Sequence, residues 1–268
     1  MQFAIVENER CSASLGLAGA CPVCGSAMVA KCGDYRIHHW AHRGERNCDS
    51  WWEPEKEWHR NWKSKFPAAF REVIAFDTTG EKHIADVRTD QGIVLEFQHS
   101  HLDPQEQRAR EAFHSNMVWV VDGTRLKKDL PRFIAGSAYL ERRHEILYLL
   151  RNPEECFPAN WLNCTVPVFF DFKGSEEVAA PDAIREFLWC LLPGRAEGLA
   201  VVGMQSRAAL VQAAMSKPQI LDAKGLVDAF GANIRAERAA TRQPPMLHPG
   251  MPMRPRYRTA RRGRSRWL

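Results

Sequence analysis

Two groups of residues in the sequence have the types and the spacing that metal chemistry requires. The first lies near the N-terminus, where Cys21 and Cys24 are three positions apart and Gly25 follows at once. Two thiolates at this spacing can bind one metal ion, and glycine lets the backbone turn so that its amides face the sulfur atoms. The best second pair is His42 with Cys48, in HHWAHRGERNC. This mixture of sulfur and imidazole ligands favours zinc.

The second pair of ligands stays open at this point. His39 is available in place of His42, and Cys32 or Cys11 in place of Cys48. A chance CxxC among core histidines is the alternative, but CPVCG followed by HxxH and another cysteine favours a metal site. Four ligands leave no open position, so we expect zinc to stabilise the fold. A zinc-dependent deaminase or hydrolase is disfavoured because its H-x-E and P-C-x-x-C signature is absent from the sequence.

The second group is acidic and lies on a predicted hairpin. Asp86 is on its first strand, and Glu96 and Gln98 are on the second, across the turn TDQG. Equal parity allows these side chains to share one face. Two carboxylates forced together repel each other unless a cation joins them, and oxygen ligands suit Mg²⁺ or Mn²⁺. An ordinary surface hairpin is the alternative, but the acids are embedded in apolar sequence, which favours a metal site.

A predicted helix precedes this hairpin and carries a third set of polar residues. Glu55, His59 and Lys63 follow one another at intervals of four and therefore share a stripe. The alternative is an ordinary solvated helix face. Trp58 and Trp62 form a separate stripe, which we expect to be core.

The elements that must position these residues alternate between helix and strand. They are expected at 54–66 (helix), 72–80 (strand), 82–100 (hairpin), 103–115 (helix, with Asp103 as cap) and 117–123 (buried strand). This order predicts an α/β core with a mixed sheet. Further expected elements are helices at 137–151, 180–192 and 206–217, and strands at 166–172 and 199–204, which either extend the sheet or form a second unit.

Composition excludes several classes of protein. With 45% hydrophobic and 26% charged residues among 268, the chain is typical of globular proteins and unlike disordered ones. It has no apolar run long enough for a membrane helix and no secretory apolar segment, which favours a cytoplasmic location and no membrane partner. The formal net charge is +5, but residues 254–268 contain seven Arg and no acid, so the basic charge belongs to a tail.

Together these residues resemble the competence protein CoiA-like nuclease family, a branch of the PD-(D/E)xK (restriction-endonuclease-like) superfamily. The matching segments span residues 21–123 and are CPVCGSAMVAKCG, HHWAHRGERNC, EKEWHRNWK, HIADV, LEFQHS and VWVVDG. The resemblance implies a zinc-ribbon-like module (1–50) followed by a restriction-endonuclease-like mixed-sheet core (51–150). Sequence pattern and composition predict an accessory α/β region (151–235) and an Arg-rich flexible tail (236–268) after them.

The resemblance also implies roles for individual residues. Asp86 would be the motif aspartate, Glu96 the first residue of the E-x-K element, and Glu55 the helix acid, with Glu57 as its substitute. Gln98 stands where the family usually has lysine, in an E-x-Q variant. Glutamine carries no charge, so Lys63 or Lys82 would supply the missing positive charge. Arg108 would contact phosphate.

The function implied is Mg²⁺- or Mn²⁺-dependent hydrolysis of phosphodiester bonds, with DNA as the expected substrate. Asp86 and Glu96 would bind the metal ion, and Glu55, His59, Lys63 and Gln98 would complete the catalytic set. The alternative is a catalytically degraded nucleic-acid-binding factor acting in DNA uptake, recombination or defence. In either case the tail, with Tyr257 and Trp267, would raise affinity for nucleic acid without reading its sequence.

Overall fold

Two β-sheets organise the protein. The computed structural model describes residues 1–44, 48, 51, 55–76, 80–174 and 181–242. Within these residues, one sheet has five strands and the other has nine, and helices cover the larger sheet. The predicted mixed α/β class is therefore confirmed, with a Cys/His group in the N-terminal part. The Arg-rich segment 254–268 lies outside the described residues.

The five-stranded sheet forms the N-terminal module. Its strands are β1 (Phe3–Val6), β2 (Glu9–Ser12), β3 (Ala18–Ala20), β4 (Ala27–Lys31) and β5 (His39–His42). Their order across the sheet is β2-β1-β3-β4-β5, and every described pair is antiparallel. The turn after β3 carries Cys21 and Cys24, and β5 ends at His42, so neighbouring ends of the sheet bring these ligands together.

The nine-stranded sheet forms the main body. Its strands are β6 (Arg71–Phe76), β7 (Lys82–Arg88), β8 (Val94–Gln98), β9 (Met117–Asp122), β10 (Glu141–His144), β11 (Leu147–Leu150), β12 (Val168–Asp171), β13 (Phe187–Leu191) and β14 (Ala200–Ser206). The order is β10-β11-β14-β13-β12-β9-β8-β7-β6. The pairs β8–β9 and β9–β12 are parallel. Strands from the accessory region thus extend the sheet, which resolves the alternative that the sequence left open.

Helices pack on both faces of this sheet. They are α1 (Glu57–Lys63), α2 (Pro104–Phe113), α3 (Asp129–Ser137), α4 (Asp182–Glu186), α5 (Arg207–Ser216) and α6 (Ala223–Arg242). Trp62 of α1 and Leu210 of α5 belong to the core on one face, whereas Phe133 of α3 and Trp119 of β9 belong to the other. None of the helices in the described part of the chain combines the length and hydropathy needed to cross a bilayer.

The hairpin β7–β8 forms as predicted, but it opens towards its free ends. Val87 pairs with Leu95 and Arg88 with Val94, and the described pairing stops there. Asp86 and Glu96 are the next residues on the two strands. The two acids therefore lie where the strands begin to separate.

Two predicted helices are wrong in whole or in part. Residues 137–151 contain the hairpin β10–β11, because Leu147–Leu150 pairs with β14 at the far side of the sheet. Residues 180–192 contain only the short α4, and the apolar run after it becomes the strand β13 between β12 and β14. In both segments, pairing with distant strands outweighs local helix propensity.

Two predicted helix boundaries also differ from the structure. The first helix spans Glu57–Lys63, within the predicted range 54–66, of which residue 54 lies outside the described residues. At the other end, α6 continues to Arg242, so residues 236–242 are helical and do not belong to a loose tail.

Helix α2 connects the parallel strands β8 and β9, and its predicted cap is confirmed. The Asp103 carboxylate accepts hydrogen bonds from the backbone amides of Gln105 (2.7 Å) and Glu106 (3.3 Å). We expect Asp103→Ala to lower the free energy of unfolding by about 1 kcal/mol, because these amides lose their acceptor. Urea denaturation measures the change. The control is Asp34→Ala in an exposed loop, and equal losses in both variants would contradict the prediction.

Candidate functional site

The four predicted zinc ligands converge in the structure. One ligand atom each from Cys21, Cys24, His42 and Cys48 lies within 4.8 Å of all the others. His42 Nε2 is 3.4 Å from Cys24 Sγ and 3.6 Å from Cys48 Sγ. These distances match the edges of a tetrahedron of sulfur and nitrogen around one ion. The group can therefore hold a zinc ion.

The turn between the two cysteines has the predicted form. Gly25 has a φ of +73°, its amide donates to the Cys21 carbonyl at 2.9 Å, and the Val23 amide donates to Cys21 Sγ at 3.4 Å. Burial raises the pKa of Cys24, but hydrogen bonds from Ser26, His42 and Cys21 outweigh it and lower that pKa to about 6. A thiol poised as thiolate is the form that binds metal. His39, Cys32 and Cys11 are not members of the converging group.

The predicted acidic residues surround one cavity where β7 and β8 separate. The cavity has a volume of about 60 Å³, enough for a small ion with some of its water. All six predicted catalytic residues line it, and they are Glu55, His59, Lys63, Asp86, Glu96 and Gln98. The structure thus brings the predicted set together, while the roles of its members stay predictions.

Asp86 and Glu96 are each held by a backbone amide of the opposite strand, across the opening between β7 and β8. The Phe97 amide donates to Asp86 Oδ2 at 3.0 Å, and the Asp86 amide donates to Glu96 Oε1 at 3.3 Å. Each carboxylate therefore occupies a place where a ladder hydrogen bond would otherwise form. This arrangement fixes both acids at the rim of the same cavity.

Lys63 is the central cation of the cavity. Its Nζ lies 2.7 Å from Glu55 Oε1, 2.9 Å from Glu72 Oε1 and 3.9 Å from Asp86 Oδ1. Burial alone would lower the pKa of Lys63, but the charges of Glu72, Asp86 and Glu55 outweigh burial and raise it. Lys63 is therefore protonated at neutral pH and acts here as a fixed positive charge.

The remaining acids also have cationic neighbours. Arg110 of α2 donates to Glu96 Oε2 at 3.1 Å, and His59 Nε2 lies 2.8 Å from Asp86 Oδ2. Burial would raise the pKa of Asp86, but the charges of His59 and Lys63 and the hydrogen bond from the Phe97 amide lower it to about 2. Asp86 is consequently ionised throughout the physiological range.

Two buried atoms in the cavity lack a well-aligned partner. Glu55 Oε1 and His59 Nε2 make no hydrogen bond with a described residue, although each lies within ion-pair distance of one. Both atoms are already paired by charge, so they give no evidence of a further ligand. Within the described ranges, the Cys/His group is the one set of three or more metal-ligating side chains that converges. A magnesium ion on Asp86 and Glu96 would therefore complete its shell with water, as Mg²⁺ commonly does.

The N-terminal module reaches the cavity through Glu72. This carboxylate accepts hydrogen bonds from the backbone amides of Gln2 (2.8 and 2.9 Å) and Phe3 (3.2 Å) and also contacts Lys63. Glu72 has a φ of +47°, a conformation that few residues other than glycine adopt. Its network links the start of β1, an inner strand of the module, to the residues that line the cavity.

Three residues proposed as substitutes do not line the cavity. Lys82 donates to the Val23 carbonyl at 2.7 Å and so contacts the N-terminal module. Arg108 and Glu57 are exposed on α2 and α1. The Gln98 amide faces the cavity but donates to Ser100 Oγ at 3.2 Å. The positive charge nearest to the acids thus comes from Lys63 and Arg110.

Sequence reasoning missed Glu72 and Arg110. Arg110 belongs to a buried stripe of α2 that also contains Gln107 and Glu111. Because this stripe is polar, hydrophobic periodicity does not predict that it is buried. Glu72 stands at the start of an edge strand, and its partners are seventy positions away in sequence. A search for acids flanking predicted strands would have found Glu72, but not its role.

Comparison with known proteins gives one match. Residues 20–50 match the family model described as competence protein CoiA, N-terminal domain. This segment contains all four converging side chains, so the match supports the predicted resemblance over the part of the chain that carries the Cys/His group. No curated protein and no solved structure is significantly similar to the chain.

We expect the purified protein to contain one zinc ion, and Cys48→Ser or His42→Ala to lose it, because each variant removes one of four ligands. Zinc content measured by elemental analysis checks this. The matched controls are Cys32→Ser and His39→Ala, which should keep the metal. Full zinc content in Cys48→Ser would contradict the assignment of ligands.

Glu72 gives a prediction of pH dependence. Burial raises its pKa, but Lys63, the N-terminal charge and the Gln2 amide lower it from 4.5 to about 2. Its stabilising contribution is therefore complete above the unfolded pKa and is lost as pH falls through the folded value. We expect Glu72→Gln to be less stable by about 1–3 kcal/mol near neutral pH and to lose less stability between about pH 5 and 2. Denaturation at several pH values measures this.

The control for this experiment is Glu145→Gln, since Glu145 is exposed. It should follow the wild-type pH dependence. A Glu72→Gln profile parallel to the wild-type profile would show that the carboxylate does not have the assigned pKa.

Proposed function

We propose that the protein is a metal-dependent nuclease that hydrolyses phosphodiester bonds of DNA, with a restriction-endonuclease-like core. The observation that carries the proposal is the convergence of Glu55, Asp86, Glu96 and Gln98 on one cavity at the opening of the β7–β8 hairpin. The match of residues 20–50 to the CoiA N-terminal domain model is consistent with this proposal, although it does not reach the cavity.

The donor set suits a hard divalent cation. Asp86 and Glu96 supply carboxylate oxygens, and the cavity has room for an ion with water. When bound, Mg²⁺ or Mn²⁺ would acidify a water molecule and neutralise charge on the phosphate. Asp86 is suited to this role because its low pKa keeps it deprotonated without competition from protons.

Four other features of the cavity have separate roles in the proposed reaction. His59 holds Asp86 Oδ2, which orients that carboxylate. Arg110 holds Glu96 Oε2 in the same way. Lys63 keeps its proton, so it stabilises negative charge that develops on the phosphate or the leaving oxygen and does not act as a base. Gln98 carries no charge, and the lysine usual in this element is replaced in function by Lys63.

A second candidate function is nucleic-acid binding without catalysis. Two observations favour it, namely that Gln98 replaces the lysine and that its amide donates to Ser100. A degraded active site would keep the acidic residues as structural ion pairs with Lys63 and Arg110. However, carboxylates that face a phosphate repel it, so a protein selected only for binding gains nothing from them.

We expect Asp86→Asn to lower DNA cleavage at least about a hundredfold, because the amide removes a charged oxygen ligand at nearly constant shape. Cleavage of labelled single- and double-stranded DNA is measured with Mg²⁺, with Mn²⁺ and without added divalent ion. The matched control is Asp90→Asn, an exposed residue of the hairpin turn, which should cleave normally. Wild-type rates in a folded Asp86→Asn protein would overturn the nuclease proposal.

Calorimetric titration with Mn²⁺ separates the two functions. Binding to the wild type that is lost in Asp86→Asn supports catalysis. Absence of binding in both proteins, together with intact DNA affinity, supports the accessory factor instead.

A further inference from the structure

A second cavity lies on the other flank of α1. Glu55, His59 and Lys63 line the acidic cavity, whereas Trp58 and Lys65 line a separate cavity of about 490 Å³. Residues from β12, the segment after it and the start of α5 complete the second cavity, among them Asp171, Lys173 and Arg207. Since Trp58 and His59 are consecutive, the two cavities are separated only by the width of the helix.

Trp58 is held in a fixed orientation at this cavity. Its indole is half-buried, and its Nε1 donates to Asp171 Oδ2 at 3.4 Å. The more deeply buried Trp62 donates to the same oxygen at 2.9 Å. The Trp58 ring also packs edge-on against Trp62 and Phe97, with ring centroids 6.4 and 6.5 Å apart. An aromatic ring anchored in this way is a preorganised surface for stacking.

The cavity is positively charged. Asp171 is buried and is neutralised by Arg207, whose Nε donates to Asp171 Oδ1 at 3.1 Å. Lys65 and Lys173 form no ion pair with any residue in the described ranges, and Lys65 Nζ lies 5.7 Å from the Trp62 ring centroid. Three cations against one carboxylate favour an anionic ligand. This charge is opposite to that of the acids in the neighbouring cavity.

We propose that this cavity binds a single-stranded segment of nucleic acid beside the acidic site, with one base stacked on Trp58 and phosphates in contact with Lys65 and Lys173. The proposal rests on the nuclease function proposed above and specifies the form of its substrate. A base inside a duplex is already stacked on its neighbours, whereas an unpaired base can offer its face to an aromatic ring. The adjacent anionic backbone then meets the two lysines, and the strand continues over α1 towards Asp86.

Binding is tested on the full-length protein by fluorescence anisotropy with a labelled oligothymidylate of about 12 nucleotides and a duplex of equal length, without added divalent ion. We expect Trp58→Leu to weaken single-strand binding about tenfold, while Trp58→Phe keeps most of the affinity because it keeps a stacking ring. Duplex affinity should change little in either variant.

The lysines give a second, independent measurement. We expect Lys65→Gln combined with Lys173→Gln to reduce the slope of log affinity against log salt by about 1.4, since two phosphate contacts are lost on a single strand. The matched control is Lys31→Gln combined with Lys217→Gln, two exposed lysines that do not line the cavity but remove the same charge. The control should leave the slope nearly unchanged.

Unchanged single-strand affinity in Trp58→Leu and an unchanged slope in the lysine variant would overturn the proposal. An equal loss for duplex and single strand would also overturn it, because the cavity would then bind phosphate of either form. If Trp58→Leu fails to fold, the Trp58→Phe variant and the lysine variant are used to test the proposal. A wild type that does not cleave, yet binds single strands through Trp58, would refute the nuclease proposal and keep this one.

Discussion

The buried ammonium group of Lys63 is the interaction on which the acidic cavity depends. It contacts carboxylates that come from three places, before α1, at the start of β6 and within β7. Carboxylates gathered this closely would otherwise repel one another and take up protons. The positive charge of Lys63 offsets this repulsion and keeps all three carboxylates ionised. Arg110 forms an ion pair with Glu96 on the neighbouring strand.

This arrangement joins parts of the chain that are far apart in sequence. The amides of Gln2 and Phe3 bind Glu72, Glu72 binds Lys63, and Lys63 contacts Asp86. The Cys/His group belongs to the same N-terminal module as those two amides. This module and the acidic cavity are therefore connected by a continuous series of polar contacts.

Local signals in the sequence predicted the elements that depend on local contacts. The turn TDQG gave the β7–β8 hairpin, and Asp103 with Pro104 gave the start of α2. The regions 137–151 and 180–192 were misassigned because distant strands determine their structure. The same division holds at the sites. Spacing alone predicted the Cys/His group and placed His59 and Lys63 on one stripe of α1, although Glu55 lies before the helix. Glu72 and Arg110, in contrast, owe their positions to packing between distant segments.

The position of the central strand β9 determines which fragments of the protein can be expressed separately. All six of its residues are buried, and it lies between β8 on one side and β12 on the other, parallel to both. A fragment ending near residue 150 would carry every acid of the cavity but would expose the bare hydrogen-bonding edge of this hydrophobic strand. Such an edge recruits other chains into aggregates. The smallest unit suitable for expression or domain grafting therefore includes β12 to β14.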